Sequence, residues 1–220
     1  MNDPLIVIPY QRHPTRQANF DWIKAWAESR YETVAVIQPQ NAKFSKSKMI
    51  NRGVTGKLDN RIIVLLDADS FVCDESLASA IKLAEDHPGI IYPFNRLARL
   101  NQRQTEAVLK LTPAIDVAAN LKFESASVRS PGGIVVVHSD TFRQVNGMDE
   151  RFGGWGGEDS AFKIAVERVV AKSTRIDGTL FHLNHRKNSF RPVSNRKLYK
   201  RYLRSKNIEN LIVEPGAGIL

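Results

Sequence analysis

The chain has 220 residues, 42% of them hydrophobic and 25% charged, with a formal net charge of +9; this suits one domain with a real core and helices on both faces of a sheet. No apolar run reaches transmembrane length, and the opening MNDPLIVIPY has neither a basic n-region nor a cleavage site, so the expectation is a soluble, unexported, cytoplasmic protein without a membrane partner. Cys73 is the one cysteine, which excludes an internal disulfide and suits a reducing compartment.

Leu5 to Pro9 is a short run of branched apolar residues, read as a buried strand ended by proline. A helix is expected over 16–29, with Phe20, Ile23, Trp26 and Ala27 on one stripe, then a strand over 33–37. The segment 45–52 reads as a helix stopped by Gly53, and 61–66 as a third strand, apolar after its first residue, that delivers Asp67-Ala68-Asp69 at its end. A helix over 74–86 precedes His87-Pro88-Gly89, and a fourth strand covers 90–92. Residues 95–130 break the rhythm, with a polar helix over 102–111 and then loop, and are expected to form a variable insertion or flap. A strand over 134–137, a short helix over 139–145, a helix over 160–170 opened by Glu158 and Asp159, and a late strand over 179–182 complete the pattern. Alternating strands and helices imply a largely parallel α/β sheet with ligands at the carboxyl ends of its strands.

Between Arg186 and Lys206 the chain carries nine Lys and Arg and no acid: Arg186, Lys187, Arg191, Arg196, Lys197, Lys200, Arg201, Arg204 and Lys206. An amphipathic helix laid on the domain through Leu198, Tyr199, Tyr202 and Leu203 is the first reading, and a footprint for nucleic acid or a phosphorylated ligand the second. The organisation expected is a domain over 1–190 followed by a basic helix and tail over 191–220, with the oligomeric state unreadable.

The run Gly153-Gly154-Trp155-Gly156-Gly157-Glu158-Asp159 sets two acids behind glycines and an indole. Glycine permits positive φ and close approach of a ligand, the indole offers a flat apolar platform, and a helix N-terminus favours the acids. Asp67 and Asp69, two apart on extended backbone, point to one side and can address one hard cation. His182 and His185 are three apart, so strand alternation would turn them to opposite sides and let only one reach that cation; a histidine can complete an oxygen-rich shell around Mn2+.

Taken in order, Gly132-Gly133 through Phe142, then Val145-Asn146-Gly147-Met148, then Phe152 to Asp159 resemble the GG…F…NG(F/M)…WGGED signature of the inverting β-1,4-galactosyltransferases and the related bacterial chondroitin-type transferases. Phe44 to Gly53 is similar to the family's FNRAKLLNxG helix, Ile8-Pro9-Tyr10-Gln11-Arg12 to its nucleotide-contacting P(F/Y)xxR turn, and His182 to Asn188 to its HSRDKKN run. The resemblance implies a GT-A (nucleotide-diphospho-sugar transferase) fold, a single Rossmann-like α/β domain with a mostly parallel central sheet flanked by helices. It implies donor binding by Pro9, Arg12, Lys48, Asp67, Gly132 and Gly133. Mn2+ or Mg2+ would lie on Asp67, Asp69 and His182, the acceptor on Trp155, Gly156, Gly157 and Glu158, and Asp159 would be the general base. The partners implied are a UDP-sugar and a carbohydrate, protein or nucleic-acid-linked acceptor, in a bacterial or bacteriophage protein. The sequence departs from the family at Phe44-Ser45-Lys46, where FNR is usual, leaving that triplet's nucleotide contact unassigned.

Two other readings are carried. A retaining transferase resembling the polypeptide N-acetylgalactosaminyltransferases would have WGGEN, and the carboxylate at Asp159 favours inversion because an asparagine cannot accept the proton. A nucleic-acid-binding or virion protein on a decayed transferase scaffold would use the basic tail instead.

Overall fold

The structure is a computed structural model and describes residues 2–186, 192–214 and 216–218; Lys187, Asn188 and Arg191 of the motifs above lie outside them. The strands are β1 (Asn2–Gln11), β2 (Glu32–Gln38), β3 (Arg61–Leu66), β4 (Ser70–Phe71), β5 (Ile91–Tyr92), β6 (Arg96–Arg99), β7 (Ala126–Ser127), β8 (Ile134–His138), β9 (Thr174–Arg175) and β10 (Thr179–His182). The helices are α1 (Gln17–Glu28), α2 (Lys46–Val54), α3 (Asp74–Asp86), α4 (Gln102–Leu109), α5 (Ser139–Gln144), α6 (Glu158–Val169), α7 (Val193–Arg204) and α8 (Ile208–Ile212).

A six-stranded sheet runs in the order β2-β1-β3-β8-β5-β9. Only β8 opposes the other strands, pairing antiparallel with β3 and β5, while β1 lies parallel to β2 and β3, and β9 to β5. Strands covered on both faces read as continuous apolar runs rather than as alternation. All six residues of β3 are accordingly buried, as are Leu5 to Ile8 of β1. Helix α1 covers the sheet with Phe20, Trp22, Ile23 and Trp26, α3 with Leu77, Ala80 and Ala84, and α6 with Ala161, Phe162 and Val166, all in one core.

A second sheet, in the order β4-β10-β6-β7, was not expected from the sequence. Its two-residue strands are too short for any periodic signal, and Arg96-Leu97-Ala98-Arg99 of β6 lies inside the stretch read as a flap. This sheet positions the site, because antiparallel pairing of β10 on β4 sets His182 opposite Ser70. Leu183 N–H also donates to the Asp69 carbonyl at 2.8 Å.

The basic helix α7 docks through buried Leu198 and Tyr202. Tyr202 Oη donates to Asp149 at 2.9 Å, and Arg151 bridges Asp149 and Glu214. Helix α8 adds Ile208, Leu211 and Ile212 to the same core, while Arg196, Lys197, Lys200, Arg201 and Arg204 face solvent.

Gly53 does not stop α2, which continues to Val54. It is there because the helix lies hard against β1: a Cβ at this position would fall 2.5 Å from Val7 Cγ1 and 3.1 Å from Val36 Cγ2. Gly53→Ala should therefore lose about 1–3 kcal/mol by overpacking, although alanine is the better helix former by about 1 kcal/mol. Urea unfolding checks this, and an alanine variant more stable than the parent would contradict it.

Candidate active site

Strand β3 ends at Leu66, and the next residues are fixed by hydrogen bonds rather than left as a free loop. Asp67 N–H donates to the Gly133 carbonyl at 2.8 Å, and Gly133 N–H donates back to Asp67 Oδ2 at 3.0 Å. Gly133 holds this exchange at φ 102°, a region that favours glycine. Gly132 serves the other acid: a Cβ there would lie 2.4 Å from Asp159 Oδ2, so only glycine lets β8 begin against that carboxylate.

Asp69 is the centre of one pole. His185 Nε2 lies 3.1 Å from its Oδ2, His182 Nε2 lies 3.6 Å from its Oδ1, and Arg16 Nη2 donates to Oδ2 at 2.6 Å. Burial pushes the Asp69 carboxyl up, but the His185 hydrogen bond and the His182 and Arg16 charges outweigh it and hold the group well below the usual carboxylate range. Burial lowers His182, against the pull of Asp69. One ligand atom from each of Asp69, His182 and His185 falls within 4.8 Å of the others. A carboxylate oxygen with two imidazole nitrogens suits a first-row divalent ion such as Mn2+.

This corrects the expectation that only one histidine reaches the site. Alternation applies within a strand, and β10 ends at His182; the chain beyond it turns and brings His185 back to Asp69. Asp67, which lines the same cavity, pairs with Lys46 and is not one of the three ligand groups of this cluster.

The second pole is the acid pair at the start of α6, with Gly157 as N-cap at φ 102°. Lys46 Nζ lies 2.8 Å from Asp159 Oδ1 and 2.6 Å from Asp67 Oδ1, with only 7% of its side chain exposed. Burial lowers the lysine, but Asp159, Asp67 and Glu158 more than offset it, so the ammonium stays charged. Asp159 is pushed up to about 7, first by burial and then by Glu158 and Asp67, against the pull of Lys46. Burial also raises buried Glu158, whose Oε2 has no hydrogen-bond partner among the described residues.

A cavity of about 460 Å³ runs from Asp69, His182 and His185 to Asp67 and Lys46. Pro9, Asp67, Asp69, Trp155, His182 and His185 line it, with Tyr10, Gln11, Arg16, Phe44, Lys46 and Arg99. Trp155 stacks on Phe44, ring centroids 4.6 Å apart and 16° from parallel, and the Arg16 guanidinium lies 5.2 Å from the indole centroid. Glu158, Asp159, Gly132, Gly133, Gly156 and Gly157 stand behind this lining, joined to it through Lys46, Asp67 and Trp155. Arg12 and Lys48 are exposed and line no part of the cavity. Sequence reasoning missed Lys46 and Arg16 and set His185 aside in favour of His182. The signal for Lys46 was its place in the triplet where the family has FNR; Arg16, read only as a helix start, had none.

Residues 113–189 match a family described as the N-terminal domain of galactosyltransferase. A xylosylprotein 4-β-galactosyltransferase of Caenorhabditis elegans is 21% identical over 180 residues, which are 82% of this chain and 53% of that protein. The chain thus spans about half the length of the curated relative it matches. Among solved structures, a mutant of Drosophila β-1,4-galactosyltransferase 7 in complex with manganese, UDP-Gal and xylobiose superposes with a TM-score of 0.60, at 14% identity over 90% of this chain and 79% of that one. The catalytic domain of the Drosophila enzyme with xylobiose gives 0.54 at 17% identity, covering 94% and 83%. The fold is GT-A. GalNAc-T7 with UDP, GalNAc and Mn2+ shares it at a TM-score of 0.55 and 12% identity, over 91% of this chain and 47% of that one. The chain is therefore galactosyltransferase-like in its matched segment and GT-A in architecture. Among the described residues no helix is long and apolar enough to cross a membrane.

Replacing Lys46 by methionine should leave Asp67 and Asp159 without their shared countercharge and cost about 3 kcal/mol at pH 8. Asp159 has a folded pKa above its unfolded value, so its contribution is full below about 4 and is lost as pH rises through about 7. Lys46→Met raises that pKa further, so the loss should shrink at pH 5. Denaturant unfolding at the two pH values checks this; an equal loss at both would contradict it.

Proposed function

We propose that the protein is a metal-dependent inverting hexosyltransferase that moves a sugar from a UDP-sugar to an acceptor hydroxyl, with Asp159 as general base. The observation that carries the reading is the pairing of two poles in one site: an Asp69-His182-His185 cluster and, bridged to Asp67 by Lys46, a carboxylate that titrates near neutrality. The galactosyltransferase match over 113–189 and the GT-A fold support it, and UDP-galactose is the first donor to test.

Asp69, His182 and His185 would hold the ion, Mn2+ before Mg2+ because two imidazoles suit manganese better. A bound Mn2+ supplies charge neutralisation for the diphosphate leaving group. Pro9 and Asp67 would face the donor from the cavity wall, joined by Tyr10, Gln11 and Arg16, with Arg12 and Lys48 exposed outside that lining. Gly133 acts by holding Asp67, and Gly132 by leaving room for Asp159. Trp155, in the cavity lining on a backbone turned by Gly156 and Gly157, would offer its indole to the acceptor, with Glu158 orienting it.

A sugar hydroxyl is too weak an acid to lose its proton before it attacks. In the proposed step the acceptor oxygen bonds to the anomeric carbon from the side opposite the nucleotide. The carbon–oxygen bond to the diphosphate breaks with its electron pair leaving on UDP, and the hydroxyl proton passes to Asp159. A carboxylate raised to about 7 is a better proton acceptor than an ordinary aspartate while still ionised in part at neutral pH. The aspartate at 159 also favours this reading over a retaining one, since asparagine has no basic oxygen to accept the proton.

Asp159→Asn should keep the fold and lower kcat by about 10²- to 10⁴-fold in a UDP-galactose transfer assay with Mn2+. The parent's kcat/KM should climb with pH through about 7, because the ionised form is the base, and the variant's residual rate should lack that limb. An asparagine variant with parental kcat would sink the assignment. In thermal or chemical unfolding, UDP with Mn2+ at about 100 times its Kd should add about 2.7 kcal/mol of stability.

A further inference from the structure

The segment that carries Trp155 is built almost without side chains. Gly154, Gly156 and Gly157 have φ of 76°, 95° and 102°, so no Cβ anchors the backbone on either side of the indole, and glycine loses the most freedom when it is ordered. Something outside the segment must fix it. One fastening comes from below, where Gly154 N–H donates to the Phe44 carbonyl at 2.7 Å.

The other comes from α7, beyond residue 189 where the galactosyltransferase match ends. Asn195 is 2% exposed. Its Oδ1 accepts from Gly153 N–H at 3.3 Å, and its Nδ2 donates to the Gly156 carbonyl at 3.0 Å and toward the Trp155 carbonyl at 3.5 Å. One amide thus ties the loop before, at and after the tryptophan, using both its acceptor and its donor. The N-cap of α7 and its next turn lie close to the loop: Pro192 Cγ lies 3.1 Å, and Tyr199 Cβ 3.6 Å, from where Gly154 and Gly157 would carry a Cβ. A buried amide with both ends satisfied is costly to replace by a group lacking either end.

We infer that Asn195 is a positioning residue for the acceptor: it sets the height and angle of Trp155, and so makes α7, read from the sequence as a basic amphipathic helix, a wall of the acceptor site. It touches none of the Asp69, His182 and His185 ligands, so the donor side should not depend on it. The inference rests on the proposed transferase reading only for what the loop receives; that Asn195 orders the loop stands by itself.

Two variants test it, Asn195→Ala and Asn195→Asp, the second keeping the acceptor end and losing the donor end. Amide hydrogen exchange over residues 153–157 should quicken at least about tenfold in both, equal to about 1.4 kcal/mol of lost local protection, while exchange in β3 and β8 stays parental. With UDP-galactose, Mn2+ and xylobiose as the probe acceptor, KM for xylobiose should rise about tenfold while the affinity for UDP with Mn2+ and the rate of donor hydrolysis stay within twofold. Unchanged exchange over 153–157 would overturn the inference, as would an equal loss of UDP affinity and xylobiose KM. If the parent transfers nothing to xylobiose, the transferase reading with that acceptor fails and the exchange arm alone decides the role of Asn195.

Discussion

Lys46 holds one ammonium 2.6 Å from Asp67 and 2.8 Å from Asp159 at 7% side-chain exposure, and the other charges of the site are arranged around that fact. Without it, Asp67, Glu158 and Asp159 would crowd three negative charges beneath the end of a sheet, and repulsion with burial would drive some of them to bind protons. With it, Asp67 stays fixed to Gly133 and Asp159 remains poised near neutrality. The lysine begins α2, and α2 can reach inward because Gly53 lets it lie against β1. Helix packing and acid chemistry are therefore one constraint.

The two poles are built by different means. Asp69, His182 and His185 meet because the small second sheet pairs β10 with β4, a contact made after β3 has ended. Asp159 comes from the first turn of α6, and Gly132, just ahead of β8, leaves room for its carboxylate. A site divided this way separates the group that would neutralise a leaving diphosphate from the group that would take a proton. Displacement with inversion needs that separation, because the attacking and departing oxygens lie on opposite sides of one carbon.

Much of this was legible in the sequence. The apolar runs of β1, β3 and β8 gave the buried strands, and Asp67, Asp69, Trp155, Glu158 and Asp159 announced themselves by residue type and spacing, because each lies at the end of a periodic element or in a glycine run. What stayed hidden were contacts that no local pattern encodes. Arg16 meets Asp69 across 53 residues and Asn195 meets Gly156 across 39. His185 escaped because the alternation rule was extended past the last residue of its strand. Lys46 was passed over because its motif was read for a nucleotide contact rather than for burial. The basic helix drew attention to its charge, yet its buried asparagine is the residue that reaches the site.

With the carboxylate at 159 as base, the proposed transfer would invert the anomeric carbon. The anomeric configuration of the product decides it most directly: transfer from α-linked UDP-galactose with Mn2+, followed by proton NMR of the new glycosidic linkage. A large anomeric coupling, as expected of a β-galactoside whose adjacent protons are both axial, is the predicted result; a small coupling from an α product would contradict the account.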